Sequence, residues 1–192
     1  ICLHSIDEDK SKQHAEMLPK LYQELQRETN FILSSIDAIA ISIGPGSFTG
    51  LRIGLSFTKG LAFSKNLPII PISTMMALAY NLKEDLPVLG IIHSHAKRVF
   101  SQKIKWINMS PYPASDIKVS EWNEILDEVE KTESIFQLNC EDLDQASNFN
   151  STSLSSSSIG MLANIHYGEL IIDEPYDLVP NYVSPFKLGG KK

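Results

Sequence analysis

The sequence predicts an α/β fold with a partly parallel sheet, and two observations support this prediction. Segments with strand and helix character alternate along the first half of the chain. A glycine-rich turn at residues 44–50 also joins an apolar, strand-like run directly to a helix. The composition agrees, because 43% hydrophobic and 21% charged residues in a chain of 192 are typical of a folded globular protein with its own core.

The first elements follow from the spacing of apolar residues. Residues 1–6 alternate apolar and polar side chains, which predicts a strand. Apolar residues at helical spacing over about 14–29 predict an amphipathic helix, and Pro19 is tolerated near its start. An isoleucine-rich run at 36–43 predicts a buried strand, and a second helix is expected at 51–65 after the glycine-rich turn.

The same alternation continues into the second half. A strand is predicted at 68–72 and a helix at 73–82, with Ser73 or Thr74 as its N-cap. The later elements are two strands and two short helices, at residues 86–92, 99–106, 122–129 and 159–167.

Composition shifts predict how the chain is divided. The charged break at residues 83–85 predicts an N-terminal lobe over 1–85 and a C-terminal lobe over 86–192. Seven serines in the twelve residues 147–158 predict a flexible loop, because such a segment cannot bury an apolar face. Residues 175–185 are bounded by prolines and are expected to be extended.

Charge and cysteine content exclude several classes of protein. A net charge of −6 argues against direct RNA binding by this chain alone, since Lys and Arg supply most of that affinity. Cys2 and Cys140 cannot form a disulfide framework, and we expect a reducing, cytoplasmic protein. No apolar run approaches the roughly 20 residues of a membrane span. Because the chain starts in a strand-like segment without Met, we expect that N-terminal strands are missing.

The glycine-rich turn is the first candidate site. Five of the ten glycines lie between Gly44 and Gly60, where backbone N–H groups and a helix N-terminus would converge on an anion such as phosphate. A tight, purely structural turn explains the same pattern, and the two alternatives stay open. The spacing is neither that of a Walker A loop nor that of a Rossmann fingerprint. The candidate residues are Gly44, Pro45, Gly46, Ser47, Phe48, Thr49, Gly50 and Arg52.

The eleven residues Gly-Pro-Gly-Ser-Phe-Thr-Gly-Leu-Arg-Ile-Gly at 44–54 resemble the signature of the TsaB (YeaZ-like) family. These are accessory proteins of bacterial tRNA threonylcarbamoyladenosine synthesis. Three shorter stretches are also similar to the family, at residues 14–19, 68–74 and 174–182. In the last of them, Val179 or Pro180 stands where the family has Arg.

The resemblance implies an actin-like or Hsp70-like two-lobed (ASKHA) fold and a non-catalytic role. A TsaB-type chain scaffolds and activates the TsaD-type catalytic paralogue, which transfers a threonylcarbamoyl group to the adenosine 3′ of the anticodon in tRNA. A TsaE-type ATPase joins the pair, and tRNA is met only through the complex. No cofactor is implied for the isolated chain, with ATP or ADP expected only at the complex interface.

Departures from the catalytic paralogue support this implied role. In the paralogue, a His-x-Glu-x-His-like metal motif follows the strand that matches residues 68–72. Residues 73–78 of this chain contain neither His nor a carboxylate, which predicts that no iron or zinc is bound there. His93 and His95 replace the Asp-Ala-Arg that is usual in the TsaB family, and without a third ligand nearby they do not predict a metal site.

The helix at 51–65 is apolar around most of its circumference, so it needs burial on more than one side. The sheet covers one side, and a neighbouring helix or a partner protein would cover the other. We expect the helices at 14–29 and 51–65 to bind the paralogue, and a second copy of this chain in its absence. The predicted partner-binding residues are His14, Met17, Leu21, Leu25, Leu55, Thr58 and Ala62.

Two other functions remain as alternatives. An ATP-binding, actin-like ATPase is supported by the glycine-rich turn, but carboxylates and a Lys to hold Mg²⁺ and phosphates are missing. A peptidase-type enzyme is supported least, because the chain has neither a G-x-S-x-G elbow nor an HExxH motif. Ser47 has no general base at a fixed offset in the sequence.

Overall fold

The computed structural model describes residues 1–7, 14–129, 131–132, 134–144, 146 and 149–183. Six helices and eight strands are assigned within these residues, together with 3-10 turns that include Leu33–Ser35 and Pro175–Asp177. Their order is α1 (His14–Thr29), β1 (Ile39–Ser42), α2 (Phe48–Lys65), β2 (Ile69–Ile72), α3 (Thr74–Asn81), β3 (Leu89–His95), β4 (Arg98–Ile107), β5 (Ser110–Pro113), β6 (Lys118–Glu121), α4 (Trp122–Val129), β7 (Ile135–Leu138), β8 (Asn150–Ser151), α5 (Ser156–Ile165) and α6 (Tyr167–Leu170).

The strands form two sheets. β1 and β2 make a parallel pair in which Ile39 lies opposite Ile69. The larger sheet has six strands in the order β5-β4-β3-β7-β8, and β6 also pairs with β4. β7 is parallel to β3 and to β8, whereas β4 is antiparallel to β3, β5 and β6. The predicted α/β class with a partly parallel sheet is therefore confirmed.

Helices cover both faces of the small sheet. Ile41 of β1 faces α2, because its Cδ1 lies 3.7 Å from where a Cβ on Gly54 would stand. Ala40, the preceding residue, packs on the opposite face against a core that includes Leu162 of α5. Helix α1 packs on α2, so this part of the molecule is a layered arrangement of α1, α2, the sheet and α5.

The main hydrophobic core joins the two sheets through α3. Met75 and Leu78 are completely buried there, together with Ile72 of β2 and Phe136 of β7. All six residues from Thr74 to Ala79 are buried, because the helix is packed between β3, β5 and α5. A second core includes Trp122 and Ile125 of α4. The predicted division into lobes at residues 85 and 86 stays a prediction.

Three predicted elements need correction. Residues 1–7 form no strand, because no neighbouring strand within the described residues pairs with them. Helix α2 starts at Phe48 instead of residue 51, since Ser47 already caps it. The helix predicted at 159–167 starts at Ser156 and is interrupted at His166.

The serine-rich segment is also not the loop that its composition predicts. Residues 150–151 form β8 beside β7, and Ser156–Ser158 make the first turn of α5. The Asp7 carboxylate accepts hydrogen bonds from the Ser156 N–H at 2.9 Å and from the Ser155 hydroxyl at 2.9 Å, which stabilises this helix start. Residues 147–148 of the predicted loop lie outside the described residues.

The C-terminal stretch is only partly extended as predicted, because Pro175–Asp177 form a 3-10 turn. Residues 184–185 of that prediction lie outside the described part of the chain. None of the helices described here has the length and apolar character that crossing a membrane would require.

Candidate functional site

The glycine-rich turn is held by main-chain hydrogen bonds at the C-terminal end of β1. Gly44 has a φ of +112°, and a Cβ there would lie 3.1 Å from the Asn181 carbonyl oxygen and from Leu51 Cδ1. The Thr74 N–H donates to the Gly44 carbonyl at 2.9 Å, and the Asn181 N–H donates to the Ile43 carbonyl at 2.8 Å. Position 44 therefore requires glycine for both conformation and space.

The first turn of α2 follows immediately. Ser47 is its N-cap, and its hydroxyl accepts a hydrogen bond from the Gly50 N–H at 3.3 Å. The Arg52 guanidinium lies 3.9 Å from the centre of the Phe48 ring, and its Nε donates to the Tyr182 hydroxyl at 2.9 Å. A stack of two aromatic rings and one arginine thus fastens the C-terminal stretch of the chain to the start of α2.

The candidate residues of the turn differ in how exposed they are to solvent. Gly44 and Pro45 are buried, whereas Gly46, Ser47 and Thr49 are exposed. The contacts account for the turn as a structural element, and phosphate binding at its helix N-terminus stays a prediction. Arg52, which is exposed, places positive charge beside that helix end.

The two segments considered for metal binding are a buried stretch of α3 and a pair of histidines on β3. Residues 74–78 are buried in the core of the molecule. His93 Nε2 is hydrogen-bonded to the Ala96 carbonyl at 2.9 Å, and His95 Nδ1 is hydrogen-bonded to the Ser94 hydroxyl at 3.1 Å. Within the described residues no three His, Cys, Asp or Glu side chains are grouped to hold a metal ion. Burial raises the pKa of the Cys140 thiol to about 12, so this side chain is not a thiolate at neutral pH.

The predicted partner-binding residues of α2 face inward. Leu55, Thr58 and Ala62 are 6%, 7% and 1% exposed within this single chain. On α1, Met17, Leu21 and Leu25 are half-buried, and the side chain of His14 lies outside what the structure describes. Their binding role stays a prediction, but α2 can present only its other side to a partner without unfolding.

Two aromatic residues that the sequence analysis missed lie on that other side. Phe63 of α2 is 72% exposed, and Tyr176 is 57% exposed. Their ring centres are 6.3 Å apart in an edge-to-face arrangement, and Lys59 Nζ donates to the Tyr176 carbonyl at 2.6 Å. We call Phe63 and Tyr176 the aromatic patch. Their exposure depends on tertiary packing, which the spacing along α2 does not give.

A polar cluster between β5 and α6 was also not predicted. The Ser110 hydroxyl lies 2.8 Å from His166 Nε2, and His166 Nδ1 lies 3.2 Å from a Glu169 carboxylate oxygen. The order of these groups is that of a serine hydrolase triad. However, Ser110 and His166 are only 4% and 7% exposed, so the hydroxyl is not accessible to a peptide. The cluster connects β5 to α6 and satisfies buried polar groups.

Comparison with known proteins identifies the family. The family model described as "TsaD: tRNA N6-adenosine threonylcarbamoyltransferase" matches residues 6–154. The tRNA threonylcarbamoyladenosine biosynthesis protein TsaB of Haemophilus influenzae is 32% identical over 127 residues, which are 64% of this chain and 52% of that protein. The Escherichia coli TsaB protein is 38% identical over 68 residues, 35% of this chain and 29% of that protein.

Catalytic-type relatives match as well. A tRNA N6-adenosine threonylcarbamoyltransferase of Fusobacterium nucleatum is 33% identical over 93 residues, which are 46% of this chain and 27% of that protein. The chain thus spans about half the length, or less, of the curated relatives that it matches.

Two solved structures from Pseudomonas aeruginosa share the fold. One is an uncharacterized protein with similarity to the peptidase YeaZ, with a TM-score of 0.76 and 22% identity over 92% of this chain and 87% of that chain. The other is YeaZ, with a TM-score of 0.72 and 22% identity over 91% and 86%. The expected actin-like fold is confirmed. Since the family model covers well over half of the chain, this protein belongs to the TsaD family and is of its TsaB/YeaZ type.

Proposed function

We propose that this protein is a non-catalytic scaffold and activator of a TsaD-type subunit, which carries out threonylcarbamoyl transfer to the adenosine 3′ of the anticodon in tRNA. The TsaB relatives are named for biosynthesis of this modified nucleoside, which supports a role in the same pathway. The observation that carries the non-catalytic role is the packing of α3. At the position of the paralogue's metal motif, this chain has the core residues Met75 and Leu78, both completely buried.

The partner surface in this proposal is the outer side of the α1–α2 pair. Tyr22 of α1 contacts Phe31 and Phe57 edge-to-face, at 5.7 and 6.0 Å between ring centres, so the two helices form one packed unit. The aromatic patch is exposed, and the apolar residues Met17, Leu21 and Leu25 of α1 are half-buried. Exposed aromatic side chains are enriched at protein–protein interfaces.

The other partners follow from the same proposal. The TsaD-type subunit binds this face, and a second copy of the chain takes its place when that subunit is absent. A TsaE-type ATPase joins the complex, and ATP or ADP binds only at the interface between subunits. The net charge of −6 supports contact with tRNA through the complex instead of through this chain alone. The free Cys2 and Cys140 are in keeping with a complex that acts in the cytoplasm.

The two alternative functions each have one supporting observation. The glycine-rich turn with Arg52 beside the N-terminus of α2 supports nucleotide binding. The Ser110–His166–Glu169 cluster has the order of groups of a hydrolase triad, but its buried serine is not accessible to a peptide. ATP turnover and proteolysis by the isolated protein test these two alternatives directly.

Reconstitution of tRNA modification tests the main proposal. The TsaD-type and TsaE-type subunits, the threonylcarbamoyl donor, ATP and tRNA are combined with and without this protein. We expect modified adenosine only when it is present, and none when it replaces the TsaD-type subunit. Modification by this protein without the TsaD-type subunit would contradict the non-catalytic role, and equal modification in its absence would contradict the activating role.

A further inference from the structure

The outer edge of the larger sheet contains a bulge between β5 and β6. Both strands pair with β4 on the side opposite β3. Ser101 of β4 lies opposite Lys118 of β6, and Ile104 of β4 lies opposite Pro113 of β5. Two residues of β4 therefore face the four residues 114–117, which we call the bulge. Its extra residues loop away from β4 and interrupt the ladder between the two strands.

A side chain from each strand replaces the main-chain bonds that are missing at the bulge. The Lys103 N–H donates to the Ser115 hydroxyl at 3.1 Å, and Gln102 Nε2 donates to the Ser115 carbonyl at 2.9 Å. The bond from Gln102 fixes the orientation of its amide, because a rotated amide would bring two carbonyl oxygens together.

The oxygen of the Gln102 amide is buried without a donor from the described part of the chain. Gln102 is 7% exposed, and none of the described residues donates a hydrogen bond to its Oε1. No other buried side-chain oxygen or nitrogen of those residues is left in this way. Buried acceptors in folded proteins are nearly always paired, with the protein or with ordered water, so Oε1 requires a donor.

A cavity of about 10 Å³ at the bulge gives room for that donor. This volume is about the smallest that holds one water molecule, and it excludes an organic ligand. The polar residues that line the cavity are Ser101, Gln102 and Lys103 of β4, Ser115 of the bulge, Lys118 of β6 and Glu128 of α4. Because two of them are lysines, a metal cation would be repelled, although Lys103 Nζ is paired with Glu128 at 2.9 Å.

We propose that one ordered water molecule is bound at the bulge and donates a hydrogen bond to Gln102 Oε1. Its other hydrogen bonds are made to polar groups of the cavity wall, for which the Ser101 hydroxyl, the Lys118 ammonium and the Glu128 carboxylate are suited. The water joins β4 to its edge strands at the point where the ladder is interrupted, and so makes the bulge a fixed part of the sheet.

Crystal structures of the unmodified protein and of two variants test this proposal. In the unmodified protein we expect a water within about 3.2 Å of Gln102 Oε1 and of at least one further polar group on the wall. Gln102→Met keeps the length of the side chain but removes the acceptor, so the water should be lost. The matched control Lys105→Met, at an exposed position of β4 that does not line the cavity, should retain it.

NMR measures the same water in solution, through magnetisation transfer from water to two neighbouring amides. The Lys103 N–H faces the bulge, whereas the Ile104 N–H donates to the Val88 carbonyl on the other side of β4. We expect transfer to Lys103 and none to Ile104, and loss of the transfer to Lys103 in Gln102→Met.

Four outcomes would overturn the proposal. Two are seen in the unmodified protein alone, so they do not depend on the folding of a variant: well-defined wall residues with no water at Gln102 Oε1, or the Lys118 ammonium bonded to Oε1 directly. A water that remains in Gln102→Met would show that this amide does not hold it. Transfer to Lys103 that persists in Gln102→Met would assign the signal to the exchanging Ser115 hydroxyl.

Discussion

Strand β3 of the larger sheet and strand β1 of the small sheet differ in how completely they are covered. In the larger sheet, the first four residues of β3 are all buried, and β3 pairs with a strand on either side. In the small sheet, all four residues of β1 are only half-buried, and one edge borders a cavity. The glycine-rich turn, the α1–α2 pair and the aromatic patch all belong to the part of the molecule around β1, which we call the open region. We infer that the larger sheet maintains the fold and that the small sheet with its helices makes the contacts needed for function.

The larger sheet around β3 is called the closed region below. The largest effect is expected there, at Gly90 of β3. A Cβ there would collide with the Met75 sulfur and with the Phe136 ring. Gly90→Ala should therefore lower the free energy of unfolding by about 3 kcal/mol or more, because the surrounding core is fully packed. Urea unfolding of both proteins measures the effect.

The matched control for this variant is Gly60→Ala, at a position in α2 with open space around it. It should be neutral or stabilise the protein by up to about 1 kcal/mol, as alanine favours helix. Equal effects of the two substitutions would contradict the distinction between a closed and an open region.

In the open region, we expect the largest effect on stability at Gly44. Gly44→Ala forces a positive φ on a side chain and places a methyl group 3.1 Å from the Asn181 carbonyl and from Leu51. The expected loss is about 1–3 kcal/mol. Thermal unfolding compares it with Gly46→Ala, for which no atom lies within 4 Å of the new methyl group. A neutral Gly44→Ala variant would show that the turn is not constrained as described.

The buried cluster at β5 allows the structural and catalytic roles of Ser110 to be separated. Ser110→Ala leaves the buried His166 ring without its partner at 2.8 Å, and should cost about 1–3 kcal/mol of stability. Because the hydroxyl is buried, tRNA modification by the reconstituted complex should be unchanged at temperatures where the variant is folded. Loss of an otherwise measurable proteolytic activity in the folded variant would instead support a hydrolase.

Asp7 gives a smaller, pH-dependent effect in the open region. Partial burial raises the pKa of this carboxyl, but hydrogen bonds from Ser156, Ser155 and Ser5 outweigh it, and the pKa is lowered overall. A lowered pKa in the folded state stabilises the protein above the unfolded value of about 4, and this contribution is lost as the pH falls through the folded-state pKa.

Asp7→Asn should therefore reduce the melting temperature at neutral pH, by the equivalent of about 0.3–1 kcal/mol, because the amide keeps an acceptor oxygen but removes the negative charge at the N-terminus of α5. The difference from the unmodified protein should shrink below about pH 4. Asp177→Asn, at an exposed position in a 3-10 turn, is the control. A difference that stays constant down to pH 2 would contradict the role assigned to the ionised carboxylate.

Much of this arrangement could be predicted from local patterns. The limits of α1 and α4 agree with the spacing of apolar residues, and the glycine-rich turn lies where its composition places it. The start of α5 was missed because the Asp7 cap lies 149 residues away in sequence. The aromatic patch was missed for a similar reason, since apolar residues all round a helix do not tell which of them the rest of the chain will cover.

The most direct test of the proposed scaffold role is the affinity of the TsaD-type subunit for Phe63→Lys, measured by calorimetry. Phe63 is 72% exposed, so the variant should fold, and the matched control Ser64→Lys adds the same charge at the next position of α2. If the aromatic patch is central to the interface, Phe63→Lys should weaken binding by at least about 30-fold, or roughly 2 kcal/mol, while Ser64→Lys stays within about threefold of the unmodified protein. Unchanged affinity of a folded Phe63→Lys protein would contradict the assignment of the partner surface to this side of α2.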